Sequence, residues 1–222
     1  MITIENLSVS FDKKEIFKNI NMKVKIGEII HIIGPNGSGK STFFKCLLGA
    51  IPYTGLINKN SSEIAVVADY TRIPEDLRVL DIIAFLNKRH HLNAVESHTD
   101  LYHLCQLEKI QNIRISQLST GEKRKLEIFV ALICGKKIFI LDEMTNGLDH
   151  NAKQDVLRFL IQFRLQYKEV IFFYTTHHLA ETIELNDKGR YLFFNLEEKT
   201  FEEKKIMSIE QLQQAFFKYN SI

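Results

Sequence analysis

Long apolar runs are missing from this chain. The most apolar stretches, 29–33, 138–141 and 170–174, are far shorter than the roughly 20 residues a membrane-spanning helix needs, so any membrane role is expected to require a partner. The opening Met1-Ile2-Thr3-Ile4-Glu5 lacks the basic-then-apolar pattern of a secretion signal, and a cytosolic location is expected. An excess of one charge sign is also missing. Lys and Arg number 29 against 27 Asp and Glu, and a net +2 gives no electrostatic argument for a nucleic-acid partner. Cysteine is limited to Cys46, Cys105 and Cys134, an odd set without CxxC spacing, which fits a reducing compartment and packing roles. Repeats and low-complexity linkers are absent, and 222 residues with 45% apolar content suffice for one domain with a substantial core.

What is present is a series of short apolar runs at 2–4, 29–33, 64–67, 138–141, 170–175 and 191–194. Several are continuous rather than alternating, the pattern of strands buried on both faces of a mainly parallel sheet. Helical patterns fall between them at 41–48, 80–87, 100–107, 121–133, 151–167 and 179–185, with an amphipathic helix at 209–219. The charged run 197–205 reads as a solvated connection before that last helix. The class is therefore α/β. With no strand pattern between 71 and 118, a helical lobe is expected there, inserted into a core formed by 1–70 and 119–222.

Gly34-Pro35-Asn36-Gly37-Ser38-Gly39-Lys40-Ser41-Thr42 fits GxxxxGK[ST], directly after the run 29–33 and before a helix. Glycines let successive backbone N–H groups turn toward one anion at a helix N-terminus. In that frame Lys40 reaches the β and γ phosphates of a nucleotide, and Ser41 supplies a hydroxyl to Mg²⁺. The run 138–141 ends in Asp142-Glu143, which places two carboxylates at the carboxyl end of a strand, where α/β sheets bind ligands. Asp142 suits the metal shell, and Glu143 suits a base that orients the attacking water.

Leu118-Ser119-Thr120-Gly121-Glu122, the acidic strand, Asn146-Gly147-Leu148-Asp149 and Thr175-Thr176-His177-His178 follow in that order. Together with the phosphate loop they resemble the signature, Walker B strand, D-loop and switch-histidine loop of the ATP-binding-cassette (ABC) family over essentially the whole chain. The resemblance implies a RecA-like, mainly parallel P-loop core with an antiparallel β subdomain and an inserted helical subdomain. It implies ATP and Mg²⁺ as cofactors and ATP hydrolysis as the activity. It places Phe11 where an aromatic stacks on adenine, although a Phe there equally serves a core. His177 takes the switch position at the γ-phosphate, and Asp149 the position facing a partner subunit. Ser119 and Gly121 contact the nucleotide held by a second copy's Lys40, so two chains, identical or homologous, would sandwich two nucleotides head to tail.

Departures from the family pattern are Thr120 for Gly, Glu122 for Gln, Met144 for Pro, and Asp69 where a glutamine would contact Mg²⁺ and relay nucleotide state to the helical lobe. No glutamine precedes Gln106, so a shifted register does not supply one. His90, His91, His98 and His103 lack zinc-helix spacing and read as solvated or satisfied. The leading expectation is the ATPase subunit of an exporter, held at the inner face of the membrane by a separate transmembrane permease. Tyr70, Ile73, Leu77 and Phe85 are candidates for receiving that permease. The alternative is a soluble cassette ATPase of an assembly machinery, such as that for iron-sulfur clusters, which Gly121-Glu122-Lys123-Arg124 also resembles. The stretch from Lys40 to Leu118 is too short for the long coiled coil of a chromosome-type cassette.

Overall fold

A computed structural model describes residues 1–12, 14–59, 64–68, 73–90, 99–176, 178–185, 189–206 and 208–220. Two sheets organise it. The smaller is antiparallel, built from β1 (Ile2–Phe11), β2 (Lys14–Val24) and β4 (Thr54–Asn58) in the order β2-β1-β4. The larger comprises β3 (Ile29–Ile33), β5 (Ile64–Ala68), β6 (Ile138–Asp142), β7 (Ile171–Thr175), β8 (Arg190–Asn195) and β9 (Thr200–Lys204). Its order is β5-β6-β7-β3-β8-β9, parallel throughout except for the β8–β9 pair.

The continuous apolar runs become the central strands: every residue of β3 and β7 is buried. Helices are α1 (Lys40–Leu48), α2 (Val79–His90), α3 (Thr99–Leu104), α4 (Leu107–Ile110), α5 (Thr120–Ile133), α6 (His150–Gln166), α7 (Leu179–Glu184) and α8 (Ile209–Asn220), with a 3₁₀ turn at Ile115–Gln117. The helix expected over 100–107 is instead two. Gln106 takes a left-handed φ of 57°, which ends one helical segment and starts another. Among the described residues no helix is long and apolar enough to cross a membrane.

Two large cores lie on either side of the parallel sheet. On one, Phe139, Phe163 and Phe172 pack with Leu126 and Phe129 of α5 and with Ile82 and Leu101 of the lobe helices. On the other, Phe43 and Phe44 of α1 meet Phe173 and the inner face of the antiparallel sheet, including Leu7, Phe17 and Val24. Each aromatic ring removes 150–250 Å² from water, so these clusters dominate the packing. The amphipathic pattern at the C-terminal end is borne out by α8, whose Leu212 and Tyr219 pack on Ile33, Tyr191 and Phe193.

Candidate functional site

Strand order places the chemistry. The phosphate loop leaves β3, the paired carboxylates end β6, and β7 lies between them. Pairing of Asp142 with Thr175 brings the end of β7 level with the end of β6.

The loop itself depends on glycine at two positions. Gly39, φ 106°, is the residue before α1, and a Cβ there would lie 2.9 Å from Ile16 Cγ2. Gly34 would carry its Cβ 2.9 Å from Ser38 Oγ. Any side chain at Gly39 would thus meet both backbone strain and a neighbouring residue. Lys40 is mostly buried and turns its ammonium back on its own loop, donating to the carbonyls of Gly34 at 2.7 Å and Pro35 at 3.0 Å. Burial lowers its pKa, while the charges of Glu143 and Asp142 oppose that shift. Ser38 Oγ is buried and has no hydrogen-bond partner among the described residues.

Around Lys40 lies a cleft of about 360 Å³, lined by Phe11, Ile16, Asn36, Gly37, Gly39, Lys40, Ser41, Thr42, Asp142 and Glu143. Residues from Phe11 to Glu143 thus converge on one space. Phe11, at the end of β1, is 43% exposed, so its ring is available at the cleft rather than committed to the core.

The carboxylates are held individually. Thr175 Oγ1 donates to Asp142 Oδ1 at 2.5 Å and accepts from the backbone N–H of Glu143 at 3.1 Å. Asn146 Nδ2 donates to Glu143 Oε2 at 2.6 Å. Glu143 has φ 51°, a left-handed conformation that is costly for a non-glycine residue and is concentrated at active sites. Thr175 and Asn146 are supports that motif spacing did not reveal. The only signals were a hydroxyl two residues before the switch position and an amide three residues past the glutamate.

The signature segment starts α5. Ser119 is its N-cap: Ser119 N and Ser119 Oγ both donate to Glu122 Oε2 at 2.8 Å, and Glu122 N donates to Ser119 Oγ at 3.3 Å. This capping box satisfies otherwise orphaned N–H groups. Ser119, Gly121 and Glu122 border a separate small cavity with Lys125 and Asp155, away from the cleft of the same chain. Asp149 is the N-cap of α6 and accepts from Ala152 N at 2.9 Å. Asp69 and His177 lie outside the described residues. Their neighbours are anchored: Ala68 O accepts from Arg124 Nη1 at 2.6 Å, and His178 N donates to Thr176 Oγ1 at 3.0 Å.

A parallel sheet with a glycine loop after its central strand and carboxylates two strands away is the architecture of a P-loop ATPase. Residues 17–146, over half of the chain, match the ABC transporter family, and the chain belongs to that family. It is similar to the lantibiotic transport ATP-binding protein SrtF of Streptococcus pyogenes, with 30% identity covering 97% of this chain and 96% of that one. Identity to the energy-coupling factor transporter ATP-binding protein EcfA1 of Fusobacterium nucleatum is 31%, covering 84% of this chain and 77% of the relative. In fold it resembles a nucleotide-free ATP-binding cassette from an ABC transporter (TM-score 0.76, 18% identity, 96% and 94% coverage). It also resembles cbiO1 from Clostridium perfringens, part of the ABC transporter complex cbiONQ (TM-score 0.77, 21% identity, 97% and 91% coverage). The chain is an ATP-binding, ATP-hydrolysing subunit of the ABC transporter type, and the assembly-machinery alternative is not favoured.

Proposed function

We propose that this chain powers export through a separate transmembrane permease, working as a head-to-tail dimer that closes on two ATP molecules and reopens after hydrolysis. The observation that carries the assignment is the cleft in which Phe11, the phosphate loop, Asp142 and Glu143 converge. In this scheme Phe11 stacks on adenine. The loop N–H groups and Lys40 hold the phosphates, in exchange for the bonds Lys40 now makes to Gly34 and Pro35. Glu143 accepts a proton from the attacking water, and His177 contacts the γ-phosphate.

The donor set fits Mg²⁺: the Ser41 hydroxyl and the Asp142 carboxylate are hard oxygen ligands facing the same cleft, with Asp69 as a further candidate. Held by Ser41 and Asp142, the ion would supply Lewis-acid stabilisation of the charge that develops during transfer. Removing it with EDTA is expected to abolish phosphate release, checked with a coupled phosphate assay. Full turnover without a divalent cation would overturn the roles given to Ser41 and Asp142.

Permease docking is supported by an apolar groove of about 720 Å³ on the lobe that we assign to 71–118, lined by Ile73, Pro74, Leu77, Phe85 and Arg89 among others. Phe85 is 59% exposed there, more than an isolated subunit gains from. Tyr70 lies outside the described residues. Phe85→Asp is expected to release the chain from membranes into the soluble fraction, with ATP binding unchanged. A membrane-retained variant would move the docking surface elsewhere. Similarity to a lantibiotic transport protein over 97% of this chain supports export as the direction and a peripheral position at the inner membrane face.

Glu122 tunes the pairing. Its carboxylate occupies the Ser119 hydroxyl that closure would direct at the partner's γ-phosphate, and it places an anion beside another anion. Glu122→Gln is expected to lower severalfold the ATP concentration that half-saturates dimer formation, measured by light scattering. An unchanged or higher concentration would remove Glu122 from the interface.

A further inference from the structure

A buried charged cluster beyond the end of β7 has no part in the scheme above. Glu181 of α7 is 3% exposed. Its Oε2 accepts from Thr145 Oγ1 at 2.9 Å, Tyr174 OH at 2.7 Å and Thr176 Oγ1 at 2.7 Å, and its Oε1 lies 3.0 Å from Lys153 Nζ. Burial alone would raise the pKa of this carboxyl, but the hydrogen bonds from Thr176, Tyr174 and Thr145 and the ion pair with Lys153 outweigh it and hold the group below its ordinary value. A carboxylate so enclosed persists only because its partners satisfy it.

Those partners come from the segments that surround the reacting groups. Thr145 is two residues past Glu143. Lys153 lies on α6, one turn after Asp149. Tyr174 and Thr176 bracket Thr175, whose hydroxyl holds Asp142 and the N–H of Glu143. Thr176 Oγ1 also accepts from His178 N, so the residues on both sides of position 177 are tied to the same node.

We infer that Glu181 is a positioning residue for hydrolysis, holding Tyr174 and Thr176 against the segment that follows β6 and the start of α6 without touching nucleotide. The inference rests on the proposed roles of Glu143 and His177. Losing the node lets the carboxylates and the switch position drift, and displacements of about 1 Å cost up to about 100-fold in rate. Binding is spared, because Lys40 is positioned within its own loop, by the carbonyls of Gly34 and Pro35.

Thr176→Val, Glu181→Gln and Glu181→Ala test this on the purified chain, with kcat, ATP affinity by calorimetry and thermal midpoint measured for each. Thr176→Val and Glu181→Ala are expected to lose at least about tenfold in kcat with ATP affinity within about twofold of the parent. Glu181→Gln, which still accepts from the three hydroxyls, is expected to recover part of that loss. If kcat of Thr176→Val and Glu181→Gln stays within twofold of the parent, or ATP affinity falls in step with kcat, the positioning role is wrong. Should Glu181→Ala fail to fold, the other two variants decide. Lys40→Ala run alongside separates the two levels: retained ATP binding and turnover there would overturn the assignment of the cleft. A dead Lys40→Ala beside fully active Glu181 variants sinks only the role of Glu181.

Discussion

Glu143→Gln is expected to lower ATP turnover by about 100-fold or more while leaving ATP binding intact, so that with MgATP the chain accumulates as a dimer. The substitution is nearly isosteric, and the backbone of residue 143 keeps its bond to Thr175. What it removes is the carboxylate's ability to take a proton from water, and proton transfer of this kind contributes about 10²–10⁴-fold. Because closure precedes hydrolysis in the proposed cycle, blocking the chemical step traps the closed state. Size-exclusion chromatography with and without MgATP, paired with phosphate release, checks both halves. A monomer with normal turnover would show that neither Glu143 nor Ser119 has its assigned role.

His31→Phe is expected to remove most of the stability loss between pH 7 and pH 5. His31 sits on β3, fully buried, stacked on Tyr191 with ring centroids 4.7 Å apart and edge-on to Tyr174 at 5.8 Å. Neither ring nitrogen has a hydrogen-bond partner among the described residues. Burial, reinforced by the Arg164 charge, lowers its pKa from 6.5 to about 3. The sign follows from linkage: below pH 6.5 the unfolded chain takes up a proton that the native state refuses. Stability is therefore full above about 6.5 and drains as pH falls toward about 3. Each pKa unit is worth about 1.4 kcal/mol, so the loss reaches about 2 kcal/mol at pH 5, a sizeable part of the about 5–15 kcal/mol available. Urea unfolding of parent and variant at pH 7 and pH 5 measures it. If the parent's loss persists in His31→Phe, another group is responsible.

The cleft was legible because its residues are chemically unusual at fixed spacing: glycines in a short loop, a lysine, a hydroxyl, and two carboxylates closing an apolar run. The central strands were legible for a different reason, since burial on both faces leaves unbroken apolar segments. The antiparallel sheet was harder to read. In β1 and β2 the alternation is interrupted at Asn6 and Asn19, both at positive φ, where the register shifts and the buried set changes phase. Only 2–4 of β1 read as strand, and β2, with Lys14, Lys18 and Lys23, did not read as strand at all. Thr175 and Glu181 were not legible because their partners meet only when β7 lies beside β6, a topological fact that no local pattern encodes; the bond from Asn146 to Glu143 is local but depends on the turn that follows β6.

The charged run 197–205 gave the clearest mismatch, since it reads as a solvated connection yet supplies β9, the outermost strand of the large sheet. An open sheet border is a template on which a foreign strand can add. Here that border is Thr200-Phe201-Glu202-Glu203-Lys204, and its charged side chains penalise another strand laid against it. Sideways addition of a second copy along β9 is thereby discouraged.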